Sequence, residues 1–309
     1  MRLFAISMVR NEGDVIEAFV RHTLDVVDGM LVVDHASMDD TTEILAKLRA
    51  EGLPLRVVSD TRAEFFQAER ITTLAREVFE VDHADFVLPL DADEFVRIES
   101  RARLEAALGD LPPHAHGIAR SMNYVPTSFE GPPIGAAHLR WRVDASHEGK
   151  VIVSRAFVAH ARQYVISGNH LVDDAAVSRP PPHVRMRRNE ISLAHLPVRS
   201  ARQLVGKVVV GHAAHLATRP ANDRQAFHWR DLYADVMAGR ELSDAALREI
   251  ACNYGLPRSA WRAPGSIALV DDPVPVRFRV RYPTRAGADP LRLLMRFVED
   301  LLRQRAATS

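Results

Sequence analysis

Asp85-Phe86-Val87-Leu88-Pro89-Leu90-Asp91-Ala92-Asp93-Glu94-Phe95 is the stretch on which the fold turns. An apolar run ends in three carboxylates within four residues. Such a run fits a strand buried on both faces of a sheet. Asp91, Asp93 and Glu94 then fall where the chain leaves that sheet. Two apart in extended backbone, Asp91 and Asp93 point to the same side. Like charges so placed need something positive between them. Hard oxygen ligands suit Mg2+ or Mn2+. The competing reading is a solvated acidic turn.

Upstream, the sequence alternates between two periods. Leu3 to Val9 is a continuous apolar run that reads as a strand and is too short for a secretion leader. From Asp14, a predicted N-cap, the residues Ile16, Phe19, Val20, Leu24 and Val27 recur at helical spacing. Met30 to Asp34 is again a strand. Asp39 or Asp40 caps a helix carrying Ile44, Leu45 and Leu48, which Gly52 closes. Leu55 to Val58 is a strand, and residues 63–81 form a helix with Ile71, Leu74, Val78 and Phe79 on one face. This alternation predicts a parallel sheet covered on both faces. Ligands of such sheets sit at the carboxyl ends of the strands. Arg10, Asn11, Glu12, Asp34, Asp60, Asp91 and Asp93 are therefore expected along one rim.

Downstream, short strands over 117–124, 150–155, 163–167 and 190–196 predict an antiparallel extension that carries loops over the rim. Helices are expected over 200–216, 224–237 and 243–252. Residues 276–282 alternate as an edge strand, with Arg277, Arg279 and Arg281 opposite Val276, Phe278 and Val280. Asp289-Pro290 opens a last helix with Leu291, Leu294, Met295, Val298 and Leu301.

Composition narrows the class. The chain has 309 residues, 47% of them hydrophobic, with 40 basic against 40 acidic side chains. A zero balance gives no global electrostatic ground for nucleic acid or an acidic membrane as partner. The sole cysteine, Cys252, excludes an internal disulfide and a cysteine-rich zinc site. No stretch approaches the ~20 apolar residues of a membrane span. The expectation is a soluble cytoplasmic protein, with peripheral contact at the inner membrane face left open.

Three segments together resemble a known family. Val9-Arg10-Asn11-Glu12, Val32-Val33-Asp34-His35-Ala36-Ser37-Met38-Asp39-Asp40-Thr41 and Leu90-Asp91-Ala92-Asp93-Glu94 are similar, in order, to the signatures of family 2 nucleotide-sugar glycosyltransferases. The resemblance is closest over residues 1–96 and thins toward 211. Lys150-Val151-Ile152-Val153, Gly168-Asn169-His170 and Leu193-Ala194-His195-Leu196-Pro197-Val198-Arg199-Ser200 with Lys207 resemble a bacterial subgroup. One departure stands out. Asp34-His35-Ala36-Ser37 replaces the usual Asp-Asp-Gly-Ser, which bears on how the base is held.

The resemblance implies a GT-A fold: an α/β, mostly parallel sheet with helices on both faces and a D-x-D metal motif. Residues 1–217 would form the core, with a nucleotide-binding half over 1–96 and an acceptor half over 97–217, and 218–309 a mainly helical extension. It implies inverting transfer from a nucleoside-diphosphate sugar, a UDP-sugar by likeness, to a carbohydrate or lipid-linked acceptor. Asp91, Asp93 and His195 would hold Mn2+ or Mg2+. Arg10, Asn11, Glu12, Asp34, Arg70, Asp91, Arg199 and Lys207 would contact the donor, with Gln67 one turn before Arg70. Glu94 would orient the acceptor or brace the loop. The base that takes the acceptor proton is expected at Asp173 or Asp174, with Glu148 behind them. Two other readings are a nucleotidyltransferase, which usually has a glycine-rich phosphate loop where this chain has the single Gly13, and a non-catalytic sugar- or nucleotide-binding protein.

Overall fold

Four strands and three helices alternate through the first ninety residues of the computed structural model, which describes residues 1–130, 134–144, 147–176, 180–218, 227–282 and 288–308. They are β1 (Leu3–Val9), α1 (Ile16–Leu24), β2 (Gly29–His35), α2 (Thr41–Ala50), β3 (Leu55–Asp60), α3 (Gln67–Val81) and β4 (Phe86–Pro89). β1 pairs in parallel with β2 and with β4, and β2 in parallel with β3. Period two sorts the strands between two cores. Leu3, Ala5, Met30 and Val32 pack with Phe19, Val20, Leu45 and Leu48 of α1 and α2. Phe4, Ile6, Leu31 and Val33 pack with Ile71, Leu74, Val78 and Phe79 of α3 on the opposite face.

The chain continues through β5 (Glu94–Arg97), α4 (Arg101–Gly109), β6 (His116–Asn123), β7 (Trp141–Val143), β8 (His147–Ser154), β9 (Gln163–Val165), β10 (Val172–Asp174), β11 (His183–Arg185) and β12 (Ser192–His195). The main sheet runs β3-β2-β1-β4-β8-β6-β12-β5, and β11 extends the edge of β6 ahead of β12. β8 is antiparallel to both β4 and β6, and β5 is antiparallel to β12. A parallel half thus joins a mixed half through β8. This is the GT-A architecture that the resemblance implies. A Cβ at Gly149 would lie 2.3 Å from the Ala119 carbonyl oxygen, so only glycine lets β8 approach β6 that closely.

The remainder comprises α5 (Ala201–Ala217), α6 (Phe227–Met237), α7 (Asp244–Asn253), β13 (Leu269–Asp271) and α8 (Pro290–Thr308). It is less of a separate extension than residues 218–309 suggest. β13 pairs with β7. Asp272 receives Arg97 at 2.7 Å and Arg142 at 2.5 Å, and also Arg188. The Val274 N–H donates to the Leu139 carbonyl at 2.8 Å, and residues 276–282 then continue outside any strand. Val276, Phe278 and Val280 pack on the first core while Arg277 and Arg279 face outward. The alternation expected of an edge strand is present, but the backbone bonds go to a side chain: Glu17 accepts from the N–H groups of Arg281 and Tyr282 at 2.8 and 2.7 Å. α8 lies on α5, burying Leu293 and Phe297 beside Val209, Val210 and Ala63.

Candidate active site

The carboxyl ends of β1 and β2 are clasped to each other by their own polar residues. Asn11 sits at φ 56°, a left-handed position that asparagine tolerates. Its backbone N–H donates to Ser37 Oγ at 3.0 Å, and its Oδ1 accepts from the Met38 N–H at 2.7 Å. The Glu12 N–H donates to Thr41 Oγ1, and the Gly13 N–H to Asp39 Oδ2. Asp34 is buried, with Oδ1 accepting from the Ser37 N–H at 3.0 Å and Oδ2 from Thr42 Oγ1 at 2.5 Å. The residue expected to read a base is thus occupied in shaping its own loop, as an aspartate three residues before a serine in a turn readily is.

Arg10 differs from expectation in the same way. Its Nε donates to the His35 carbonyl at 2.5 Å, and its terminal nitrogens to the carbonyls of Ala63 and Arg62. The guanidinium stacks over Phe297 of α8 at 5.4 Å. Burial lowers its pKa to about 10. Arg10 ties the ends of β1, β2 and β3 together rather than reaching outward. Arg70 is held by Asp60 at 2.5 Å, which also takes Arg62.

The acidic motif after β4 is a tight turn. The Glu94 N–H donates to the Asp91 carbonyl at 3.0 Å, and the Asp91 N–H donates back to Glu94 Oε2. The extended geometry expected for Asp91 and Asp93 is therefore absent, because the chain reverses here to enter β5. The two carboxylates face different cations. Asp91 takes Lys150 Nζ at 2.5 Å, with Gln67 Nε2 at 3.2 Å and Asn169 Nδ2 at 3.3 Å. Asp93, 1% exposed, takes Lys207 Nζ at 2.6 Å and has Arg199 at 3.8 Å. Burial alone would raise the Asp93 pKa, but the positive charges of Lys207 and Arg199 hold it far below the usual carboxylate range.

Glu94 is fully buried, and burial raises its pKa to about 8 against the opposing pull of Lys150 at 3.3 Å. It braces the turn and presents nothing to an acceptor. Lys150, reached by β8 beside Gly149, escaped sequence reasoning as a site residue because a strand lysine carries no signal of its partner. Burial would lower its pKa; Asp91 and Glu94 outweigh that and raise it.

Arg199, Lys207 and Glu12 meet around Asp93. Arg199 is buried, donating to Glu12 Oε2 at 2.5 Å and to Asp14 at 2.7 and 2.9 Å. Asp14, expected as a helix cap, serves this ion pair instead, and α1 begins after Val15 with no side-chain cap. Ser200, by contrast, caps α5 through the Gln203 N–H, which fixes where Lys207 projects two turns later. Burial raises the Glu12 pKa to about 7. A cavity of about 450 Å³ adjoins this network at Asp14, between the clasped loops that follow β1 and β2 and Arg202, Arg292 and Arg296.

His195, at the end of β12, stands over Asp93. Its Nδ1 donates to Asn123 Oδ1 at 2.9 Å, so Nε2 is left as an acceptor. That nitrogen lies 3.7 Å from Asp93 Oδ1, a buried oxygen with no hydrogen-bond donor. Burial holds the imidazole neutral, its pKa lowered to about 3. Asn123, which also donates to the Tyr254 carbonyl at 2.9 Å, was not singled out by sequence; its only signal is its place at a strand end beside β12. Two facing acceptors without a proton between them suit a cation. Among the described residues no three His, Cys, Asp or Glu side chains converge as a ready-made metal cluster, since Asp91 is turned to Lys150.

The expected bases lie elsewhere. The ribbon β9–β10 brings its tip to the site: the Gly168 N–H donates to Gln67 Oε1 at 2.8 Å and Asn169 reaches Asp91. Asp173 and Asp174 sit back along the ribbon, accepting from Tyr164 Oη and the Ala176 N–H. The side chain of Glu148 lies outside the described residues.

No protein-family model and no curated protein matches the sequence. Among solved structures, residues 1–349 of Staphylococcus aureus TarS align over 82% of this chain and 81% of that one, at 12% identity and a TM-score of 0.38. A mannosyltransferase of Pyrobaculum calidifontis in complex with GDP-Man and Mn2+ aligns over 80% and 78%, at 15% identity and a TM-score of 0.39. Glucosyl-3-phosphoglycerate synthase of Mycobacterium tuberculosis, in complex with Mn2+, UDP and glucosyl-3-phosphoglycerate, aligns over 39% and 43%, at 19% identity and a TM-score of 0.27. Likeness at this distance leaves the chemistry to be argued from the site's own geometry.

Proposed function

We propose that this protein is a metal-dependent glycosyltransferase that moves a sugar from a nucleoside-diphosphate sugar to a carbohydrate or lipid-linked acceptor. The observation that carries the reading is the pair Asp93 Oδ1 and His195 Nε2, two acceptors 3.7 Å apart at the rim of a strand-end sheet. Asp93 and His195 are the residues that would hold Mn2+ or Mg2+, ions that take few protein ligands and complete their shell with phosphate oxygens and water. When bound, the metal would neutralise charge on the departing nucleoside diphosphate. Lys207 and Arg199 add fixed positive charge beside Asp93, and their ion pairs keep them oriented before any substrate arrives. Lys150, Gln67 and Asn169 fix Asp91 on the other side of the turn.

The test is release of nucleoside diphosphate from a panel of sugar donors with and without Mn2+, comparing the wild type with Asp93→Asn and His195→Ala. Metal-dependent release that both substitutions abolish is the expected result. Release of pyrophosphate from a nucleoside triphosphate and a sugar phosphate would replace this reading with nucleotidyl transfer. Donor binding by calorimetry without turnover would replace it with a binding protein.

A further inference from the structure

The outer face of α8 is apolar where it should be wet. Leu291, Met295, Val298 and Leu302 are 67%, 52%, 37% and 62% exposed. Their spacing of four, three and four residues sets them in one stripe along the helix. They are not the residues that fix α8 to the protein, for Leu293 and Phe297 do that against α5 on the opposite side. Four large apolar side chains in one row on one helix form a patch, unlike the scattered exposed apolar residues that any surface carries.

Arginine recurs along the borders of the stripe. At 100° per residue, Glu299 and Arg292 stand next to it on one side with Arg303 behind them, and Arg305 stands on the other, all three arginines exposed, whereas Arg296 lies further round and donates to the Met38 carbonyl at 3.1 Å. Glu299 and Asp300 share the polar side, where Arg303 pairs with both. From Val276 to Ser309 the sequence holds eight arginines and three acidic residues, in a chain whose total charge is balanced. Three of those arginines, Arg277, Arg279 and Arg281, point outward from the extended segment that leads to α8.

We propose that α8 docks on an anionic lipid surface, lying in its plane with the Leu291–Leu302 stripe inserted and the arginines at headgroup level. An apolar stripe bordered by arginine is the pattern of interfacial helices. No helix among the described residues is long and apolar enough to cross a membrane, so contact from the side is the mode that fits. Charge separates this occupant from a second copy of the chain: pairing the same stripe on two copies would set arginine borders against each other, whereas an anionic surface complements them.

Co-sedimentation of the full chain with vesicles of phosphatidylcholine, with and without phosphatidylglycerol, tests the proposal. Binding is expected to the anionic vesicles only, to weaken with salt, and to fall by at least about tenfold in Leu291→Glu/Leu302→Glu. Absence of binding, or binding that the double substitution leaves unchanged, overturns it. So does a concentration-dependent dimer in sedimentation velocity that the same double substitution dissolves. A second measurement does not depend on a charged substitution folding. A polarity-sensitive dye on Met295→Cys should shift to the blue on anionic vesicles, the only other thiol being the buried Cys252. An unchanged spectrum overturns the proposal.

Discussion

Lys207 Nζ lies 2.6 Å from one oxygen of Asp93, while the other oxygen of that carboxylate is buried without a donor. The carboxylate is thus half satisfied, and its remaining half faces His195. Asp93→Asn removes the charge that Lys207 and Arg199 both answer. Breaking a buried pair from one side typically costs about 3–5 kcal/mol. Urea unfolding should show a loss of that order, and turnover should fall by roughly 10²-fold or more. Full stability in the variant would mean that Lys207 and Arg199 do not depend on Asp93.

Asn123 fixes the tautomer of His195 through a 2.9 Å bond to Nδ1. Asn123→Ala frees the ring to rotate or to protonate at Nε2. Partners that orient a metal-ligating histidine are generally worth roughly 10–100-fold in metal affinity. Calorimetric titration with Mn2+ should show a loss in that range, with the fold intact by circular dichroism.

Glu94 gives a pH dependence with a definite sign. Its pKa is raised by burial to about 8 in the fold. A raised carboxyl contributes stability that is complete below its unfolded pKa of about 4.5 and is lost as pH climbs toward 8. Glu94→Gln keeps an oxygen for the Asp91 N–H and has no proton to lose. Unfolding measurements across this window should find wild type losing ground to the variant as pH rises. The slope approaches at most ~1.4 kcal/mol per unit and sums to a few kcal/mol. A difference that stays flat with pH would show that Glu94 is already ionised when buried.

Asp173→Asn and Asp174→Asn should leave turnover near that of wild type. Their hydrogen bonds are to Tyr164 and Ala176 along the ribbon, behind the tip that reaches Asp91. Loss of a general base typically costs roughly 10²–10⁴-fold in rate. A drop of that size in either variant, in a nucleoside-diphosphate release assay, would return the base to this ribbon.

The alternating first half of the fold was legible because its signals are local. Strand runs and helix spacing each occupy fewer than twenty residues, and β1 to β4 fall where the sequence sets them. Ser200 and Ser243 open helices expected from 200 and from 243, and each caps its own helix. What sequence missed depends on partners far along the chain. Asp14 looks like a helix cap until Arg199, 185 positions away, claims it. Residues 276–282 look like an edge strand until Glu17 takes the backbone N–H groups that a neighbouring strand would have bonded. Asp34 was placed correctly on the rim, yet its two oxygens are spent on Ser37 and Thr42, which a closer reading of the Asp-x-x-Ser turn would have suggested. Asn123 carries no pattern of its own, and Lys150, though part of a segment that resembles a bacterial subgroup, carries no sign of its partner Asp91.

The bond from the Ala63 N–H to Gln304 Oε1 spans 241 residues, and the Gln304 amide also donates to the Thr61 carbonyl at 2.5 Å. Such contacts are late rewards in folding, because the intervening loop must close before they form. The parallel sheet can assemble from the first ninety residues, but the rim between β3 and α3 gains its last support only when α8 arrives. Hydrogen exchange should therefore find the amides around Thr61–Phe65 opening more readily than those of β1. This corner of the sheet would be the last to be secured and the first to come loose.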